Sequence, residues 1–333
     1  MKKFIMLILT LLLFSCTKGR ESVSLIIYNG NDPFINSMAN NIERESSDLF
    51  NIEKFDSKNF QINQNEFINQ CIDNKTSLIM LNPVDRLGVY PIIRKLKANN
   101  IPVILFNREP LKKDLDIWEK AFYVGTKGEQ SAQIQGEIIY NLFGSNPLKL
   151  NNLDKNSNNE IEIVILKGEQ GHQDAEIRTT EVVNSLKSKG YKLNILVTEV
   201  ANWKRSEAYE KMKAIINKYG NSIELVISNN DEMAIGGIDA LIESNMFQDL
   251  DQNGIINKET EPWIPVVGID GLQEAIILVR NGYLAGTVVN DSVLQAKAIV
   301  ELANILLHNK SLTQLTFDII DNKYIMLDYR ILQ

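Results

Sequence analysis

The feature that most constrains this chain is the regular alternation of short β-branched segments with longer amphipathic ones. Strands separated by helices of about 10–15 residues are typical of βαβ units, which build parallel sheets. The predicted strands lie near residues 23–29, 77–82, 101–106, 121–125, 161–167, 193–199, 223–229, 264–269 and 284–289. The predicted helices lie near residues 34–49, 63–74, 86–98, 130–143, 174–189, 205–218, 231–244, 271–281 and 292–308.

This number of strands exceeds what one open sheet with a single core accommodates comfortably, so the pattern favours two doubly wound α/β domains. The length of 333 residues suits two domains of ordinary size, and the boundary is predicted near residues 125–129. A net charge of −7 without a basic cluster argues against a nucleic-acid partner, because such a partner requires a positively charged surface.

The N-terminus has the pattern of an export signal. Two lysines precede an apolar run over residues 4–14, which is too short to span a bilayer. Ser15 and Cys16 then resemble a lipoprotein signal-peptidase site. We therefore predict a signal peptide over residues 1–15, lipidation of Cys16 and a short tether over residues 16–20, which would anchor an extracytoplasmic protein to a membrane. A plain cleaved signal with an incidental cysteine is the alternative.

Polar and aromatic residues recur directly after the predicted strands. Asp32 and Phe34 follow the first strand, for example, and His172 follows the fifth. The carboxyl ends of parallel strands form the usual ligand edge of such a sheet. Carboxylates, amides and guanidinium groups pair with the hydroxyl rim of a pyranose, and flat rings cover its C–H faces. The pattern therefore predicts a sugar site, with Phe34 and Trp203 as the covering rings.

The most distinctive segment of the chain is Leu-Lys-Gly-Glu-Gln-Gly-His-Gln-Asp-Ala-Glu-Ile-Arg-Thr-Thr, over residues 166–180. Four shorter segments accompany it, at residues 106–110, 229–231, 268–270 and 285–291. Together they resemble the periplasmic glucose/galactose-binding proteins of sugar importers, which have a two-lobed fold related to LacI-type repressors. The similarity extends from about residue 23 nearly to the C-terminus.

The resemblance implies a monomeric protein that binds D-glucose or D-galactose, performs no reaction and delivers the sugar to ABC permease and ATPase subunits. A chemoreceptor is a compatible further partner. The implied first lobe comprises residues 21–127 plus 292–318, and the second comprises 128–291 plus 319–333. Three crossovers form a hinge, about which the lobes close on the ligand. The implied sugar contacts are Asp32, Phe34, Asn107, His172, Asp174, Arg178, Trp203, Asn230, Asp270 and Asn290.

Each of these residues also has a purely structural interpretation. Asp32, Asp174 and Asn230 could cap helices that begin after a strand. His172 could be a hydrogen-bonded core residue, and Trp203, like Phe34, could be part of a core. Their joint occurrence at the same edge of successive strands favours the binding site.

An enzyme and a transcriptional repressor are the rival classes. The carboxylates and His172 could in principle form a glycosidase acid/base pair. The sequence has, however, no phosphate loop, dinucleotide fingerprint or nucleophile elbow, so catalysis is disfavoured. A repressor of the related fold is excluded because the export signal occupies the place of its helix-turn-helix.

An EF-hand-like spacing of oxygen ligands predicts a structural calcium site in the second lobe. The ligands at positions 1, 3, 5, 7 and 9 are Asp154, Asn156, Asn158, Glu160 (through its carbonyl) and Glu162. The resemblance adds a distant bidentate carboxylate, Glu224. Asn158 and Asn159 depart from the usual Asp and Gly, and a polar surface loop is the alternative.

A second segment, over residues 249–260, opens in the same way with Asp249, Asp251 and Asn253. Position 12 is Thr260, so the closing glutamate of a calcium loop is missing there. A solvated turn is the favoured interpretation of this segment.

Overall fold

The computed structural model describes residues 20–333, which form two α/β lobes, each built on a six-stranded sheet. The predicted signal peptide and Cys16 lie outside the described residues. The strands are β1 Ser22–Ile27, β2 Asn51–Asp56, β3 Leu78–Leu81, β4 Val103–Phe106, β5 Ala121–Thr126, β6 Ile161–Lys167, β7 Leu193–Val200, β8 Leu225–Ser228, β9 Val266–Asp270, β10 Gly286–Val289, β11 Tyr324–Leu327 and β12 Arg330–Leu332.

Helices connect the strands and cover both faces of each sheet. They are α1 Pro33–Ser46, α2 Gln61–Asp73, α3 Val89–Ala98, α4 Lys112–Leu115, α5 Gly128–Leu142, α6 Gln173–Ser188, α7 Arg205–Tyr219, α8 Asp231–Glu243, α9 Gln273–Arg280 and α10 Ser292–Leu307. Within residues 20–333, no helix is both long enough and apolar enough to cross a bilayer.

The strand order of the first sheet is β11-β5-β4-β3-β1-β2, and that of the second is β12-β10-β9-β8-β6-β7. All neighbouring strands are parallel except β10 and β12. The prediction of two doubly wound parallel-sheet lobes is therefore confirmed. The central strands β3 and β4 are apolar and buried at every position because helices cover both of their faces.

Three strands escaped the sequence prediction. Strand β2 is an edge strand in which only Phe55 is buried, so its sequence lacks the apolar run of a central strand. Strands β11 and β12 are short and follow one another within the C-terminal segment. The assignment of residues 319–333 to the second lobe is wrong for β11, which pairs with β5 of the first sheet, whereas β12 pairs with β10 of the second.

The chain passes between the lobes at three places: between β5 and α5, between β10 and α10, and between β11 and β12. Each lobe has two apolar cores, one on each face of its sheet. Helices α1 and α10 pack on one face of the first sheet, and α2 and α3 on the other. In the second lobe, α7 and α8 pack opposite α5 and α6. These cores fix the strand ends on which the candidate site is built.

Candidate functional site

The loops at the carboxyl ends of both sheets line one cavity between the lobes. All ten predicted sugar contacts lie around this cavity, together with three residues that the sequence analysis did not select. The lining residues are Tyr28, Asp32, Phe34, Ile35, Asn107, Arg108, His172, Asp174, Arg178, Trp203, Asn230, Asp270 and Asn290.

Asp32 serves the start of α1 and the cavity at once. Its Oδ1 accepts hydrogen bonds from the backbone nitrogens of Phe34 and Ile35, at 2.9 and 3.1 Å. Its Oδ2 accepts from the Tyr28 hydroxyl at 2.6 Å. Because a carboxylate accepts about four hydrogen bonds, Asp32 keeps capacity for a ligand hydroxyl. The capping and binding interpretations of this residue are therefore compatible.

Asn107 directly follows β4 in a left-handed conformation, with φ of 63°. Asparagine tolerates this conformation better than most residues. The Tyr123 hydroxyl donates to the Asn107 carbonyl at 2.9 Å, and Asn82 Nδ2 donates to Asn107 Oδ1 at 3.2 Å. These contacts fix the amide, so that its NH2 group remains as a donor.

In the second lobe, His172 caps helix α6. Its Nδ1 accepts a hydrogen bond from the backbone nitrogen of Asp174 at 3.1 Å, so the proton of the neutral ring lies on Nε2. Burial lowers the pKa of His172 to about 4. The imidazole is therefore neutral near pH 7 and offers a donor. Asp174, one of the suggested caps, lies inside the first turn of α6 instead.

Arg178 is the buried centre of the second-lobe side of the cavity, with 4% of its surface exposed. Its Nη1 donates to the carbonyl of Asn229 at 2.8 Å, and its Nη2 donates to the Tyr329 hydroxyl at 3.2 Å. The guanidinium lies 3.7 Å from the carboxylate of Asp174 and 3.9 Å from that of Asp270. Nε is buried without a hydrogen-bond partner among the described residues. One donor of a permanently charged group is thus unused.

Asp270 ends strand β9 and is 7% exposed. Burial raises the pKa of Asp270 well above its ordinary value, and the positive charge of Arg178 opposes that rise. Asn290, just after β10, accepts a hydrogen bond on Oδ1 from Gln295 Nε2 at 2.6 Å. Like Asn107, it is left with its amide donors free for the cavity.

Trp203 lies in the loop between β7 and α7 at φ of 66°. Its ring meets the His172 ring edge to face, with centroids 5.1 Å apart. A Cβ atom at Gly168 would overlap the indole, so this glycine allows the close approach of the ring. Asn230 caps α8 by accepting from the backbone nitrogen of Met233 at 3.0 Å, and its Nδ2 donates to the Trp203 carbonyl at 3.4 Å.

Tyr28 and Arg108 are the polar lining residues that sequence reasoning missed. The Arg108 guanidinium lies 4.0 Å from the centroid of the Tyr28 ring and 3.4 Å from the carboxylate of Glu169 in the other lobe. Gln173 of the second lobe donates to Glu109 of the first at 3.2 Å. The lobes therefore contact each other at the rim of the cavity. The only sequence feature that could have indicated Arg108 is its position next to the predicted contact Asn107. Tyr28 directly follows the apolar strand β1.

The predicted calcium loop closes on two buried carboxylates. Asp154 Oδ2 accepts from the backbone nitrogen of Asn159 at 2.9 Å, and Asn156 Oδ1 accepts from that of Asn158 at 2.9 Å. Glu224, which is 1% exposed, accepts from the backbone nitrogens of Lys155 at 2.6 Å and Glu162 at 3.2 Å. The loop therefore folds back onto Glu224 as the resemblance implies, with Asn156, Asn158 and Glu160 along its outer part.

Glu162 and Glu224 lie too close to share the site as two fully ionised groups. Burial, together with the hydrogen bond to Glu162, raises the pKa of Glu224 to about 7. Asn158 Nδ2 donates to Glu162 Oε1 at 2.8 Å, whereas the buried Oε2 has no partner among the described residues. An orphaned carboxylate oxygen beside a second carboxylate, with amide and carbonyl oxygens nearby, fits a hard divalent cation.

A carboxylate closes the second loop, over residues 249–260, by hydrogen bonds to its backbone. Glu261, one residue beyond position 12, accepts from the backbone nitrogens of Leu250 at 2.6 Å and Asn257 at 2.7 Å. Glu224 makes the same two bonds in the first loop. The expectation that no glutamate closes this segment is therefore wrong. Oxygens of Asp249, Asp251 and Glu261 lie within 4.8 Å of one another, but none of these side chains is buried.

The chain passes three times between two lobes, and a polar cavity lies between the facing strand ends of the two sheets. These features are typical of binding proteins that enclose a small polar ligand by closure of their lobes. The cavity offers carboxylates, amides, two guanidinium groups and several flat rings, which suits a hydroxyl-rich molecule.

Residues 23–311 match the model of the periplasmic binding protein domain, and the chain belongs to this family. It is 36% identical to the D-galactose/methyl-galactoside binding periplasmic protein MglB of Haemophilus influenzae over 88% of this chain and 83% of that protein. A solute-binding protein of an ABC transporter from Bacillus halodurans, solved with myo-inositol, is 25% identical, with a TM-score of 0.74 and 94% of each chain covered. One from Actinobacillus succinogenes, solved with D-allose, has 17% identity and a TM-score of 0.76, over 94% of this chain and 97% of that one.

The chain is thus a sugar-binding protein of an ABC importer that acts outside the cytoplasm, and not an enzyme. The resemblance to sugar-importer binding proteins, predicted from the five sequence segments, is confirmed.

Proposed function

We propose that this protein captures D-galactose or D-glucose and delivers it to an ABC permease and its ATPase. The observation that carries the proposal is the cavity itself, in which Phe34 and Trp203 accompany ten hydrogen-bonding side chains. The similarity to a galactose-binding relative supports a hexose over other ligands. The closed pair of lobes is the form that the permease, and equally a chemoreceptor, would engage.

Isothermal titration of the chain without its first sixteen residues tests the proposed ligand. The protein is first unfolded and refolded to remove any sugar that co-purifies, and is then titrated with D-glucose, D-galactose, D-ribose, D-xylose, myo-inositol and D-allose. The proposal expects a micromolar or lower Kd for a hexose of the glucose/galactose pair and far weaker binding of the pentoses. Tighter binding of D-allose or myo-inositol would assign the cavity to another polyol. No binding of any of the six would overturn the proposal.

Calcium is the proposed structural ion of the loop that ends on Glu162 and Glu224. The residues that would hold it are Asp154, Asn156, Asn158, Glu160, Glu162 and Glu224. The buried, unpartnered Oε2 of Glu162 supports this assignment, because a buried carboxylate oxygen without a partner is costly unless a cation or proton compensates it. When bound, the ion would supply positive charge and join the loop to β8.

Thermal unfolding after chelation, with and without added calcium, tests the metal proposal. A ligand at 100 times its Kd stabilises the folded state by about 2.7 kcal/mol, so a clear rise in Tm is expected for the wild type. Glu224→Gln should abolish the rise, whereas the matched variant Glu261→Gln in the other loop should retain it. A rise that survives Glu224→Gln and disappears in Glu261→Gln would contradict the assignment.

Lipidation of Cys16 is the proposed means of membrane anchoring. The wild type expressed in a bacterium with lipoprotein processing should then sediment with membranes, and Cys16→Ala should be released into the soluble fraction. Membrane association that persists in Cys16→Ala would contradict the anchor.

A further inference from the structure

The turn that carries Asp270 has an unusual backbone. Asp270 adopts φ of +132° and Gly271 follows at +72°. The region near +132° is occupied almost only by glycine, and other residues remain there only where the surrounding structure holds them. Asp270 is also 7% exposed and lines the cavity. Some neighbouring group must therefore hold this turn.

Asp231, the first residue of α8, is that neighbour. Its side chain is fully buried. Its Oδ2 accepts from the backbone nitrogen of Leu272 at 2.9 Å, and its Oδ1 accepts from the Thr287 hydroxyl at 2.6 Å. The Thr287 oxygen in turn accepts from the Gly271 nitrogen at 3.4 Å. One carboxylate thus ties α8, β10 and the turn after β9 together.

The packing around this carboxylate and the turn that it holds is close. A Cβ atom at Gly268 would overlap Asp231 Oδ1, and a Cβ at Gly271 would lie 3.0 Å from a methyl carbon of Val289. Asp231 itself does not line the cavity between the lobes. Its influence on a ligand in that cavity is therefore indirect and passes through neighbouring residues.

We propose that Asp231 is a positioning residue for sugar binding, which fixes the strained turn so that the Asp270 carboxylate faces the ligand. The inference rests on the proposed function in one respect, namely that Asp270 contacts the sugar. It predicts that the effect of Asp231 on affinity passes through Asp270.

A double-mutant cycle separates this role from general stabilisation. Asp231→Ala should weaken binding of the preferred sugar roughly thirtyfold, on the scale of one mispositioned charged hydrogen bond. In an Asp270→Ala background, adding Asp231→Ala should change Kd less than about threefold, since the group that Asp231 positions is gone. A similar loss in both backgrounds would overturn the proposal.

Two further variants distinguish a loss of positioning from a loss of folding. Asp231→Asn keeps an oxygen for the Leu272 nitrogen and can donate its amide to the Thr287 hydroxyl, so it should recover most of the lost affinity. Glu243→Ala, at the exposed end of the same helix, should leave Kd unchanged. An Asp231→Asn variant as weak as Asp231→Ala, at equal Tm, would count against positioning.

Crystal structures of the wild type and Asp231→Ala complete the test and do not depend on the sugar. The proposal expects the backbone of residue 270 to leave positive φ, or its carboxylate to turn from Arg178, in the variant. An unchanged Asp270 would overturn the positioning role even if the wild type binds sugar. Absence of sugar binding by the wild type would instead overturn the proposed function, while a displaced Asp270 would still support the role of Asp231 in holding the turn.

Discussion

The two lobes contribute very different walls to the cavity. The first-lobe wall consists of Tyr28, Asp32, Phe34, Ile35, Asn107 and Arg108, and the second-lobe wall of His172, Asp174, Arg178, Trp203, Asn230, Asp270 and Asn290. Arg108 is the one buried charged side chain of the first-lobe wall, whereas four polar members of the second-lobe wall are buried: Arg178, Asn230, Asp270 and Asn290. The second-lobe wall therefore holds its charges in a preformed array. We expect it to supply most of the binding energy and the first-lobe wall to complete the site on closure.

The largest predicted difference in sugar affinity is between variants of the carboxylates Asp270 and Asp32, one from each wall. Asp270→Ala would leave sugar hydroxyls buried without their charged acceptor, which costs about 3 kcal/mol and corresponds to roughly 150-fold in Kd. Asp32→Ala removes a more accessible acceptor and should cost roughly tenfold. Isothermal titration of both variants measures this. Asp32→Asn, which retains a capping oxygen, separates affinity from loss of the α1 cap. Equal losses for the two Ala variants would break the comparison.

The aromatic rings give a second, smaller contrast. Trp203→Ala removes a ring that is only partly buried, at the edge of the second-lobe core, and should weaken binding by about 2 kcal/mol, or roughly thirtyfold. Phe34 is packed into the first-lobe core, so Phe34→Ala should lower Tm more than Trp203→Ala does, through the cavity that it leaves. Sugar titrations and thermal melts of both variants check this. Unchanged affinity in Trp203→Ala would refute the sandwich of the sugar between two rings.

The smallest predicted effect concerns His172 and pH. Its pKa in the folded protein, about 4, is below that of the unfolded chain, so folding favours the neutral ring. Its contribution to stability is complete above about pH 6.5 and is lost as the pH falls through 4. The difference in unfolding free energy between wild type and His172→Asn should therefore shrink by about 1–2 kcal/mol from pH 7 to pH 5.

The matched control is His308→Asn, at the other and exposed histidine. His308→Asn should retain the loss of stability between pH 7 and pH 5 that His172 causes. A difference between wild type and His172→Asn that does not change with pH would mean that the His172 ring is not held neutral by the second-lobe wall.

The sequence predicted the buried central strands and the residues at their ends better than the edge strands and the turns. Strand ends and their polar residues were predictable because apolar runs locate the strands and parallel pairing brings their carboxyl ends together. Strand β2 was not predictable, because an edge strand can be polar and then lacks the apolar run that locates a strand. Tyr28 was not either, because a tyrosine after an apolar run is equally consistent with a core. Glu261 was missed because its place depends on the conformation of the turn between residues 257 and 261, which residue spacing does not determine.

The central claim is that a hexose lies between the two walls, and a crystal structure of the chain without its first sixteen residues, grown with D-galactose, tests it most directly. The account predicts the sugar ring between Phe34 and Trp203, with its hydroxyls bonded to Asp270, Arg178 and the neighbouring second-lobe residues, and to Asp32 across the cleft. A sugar bound elsewhere, or bound in this cavity without contact to Asp270 and Arg178, would contradict the account.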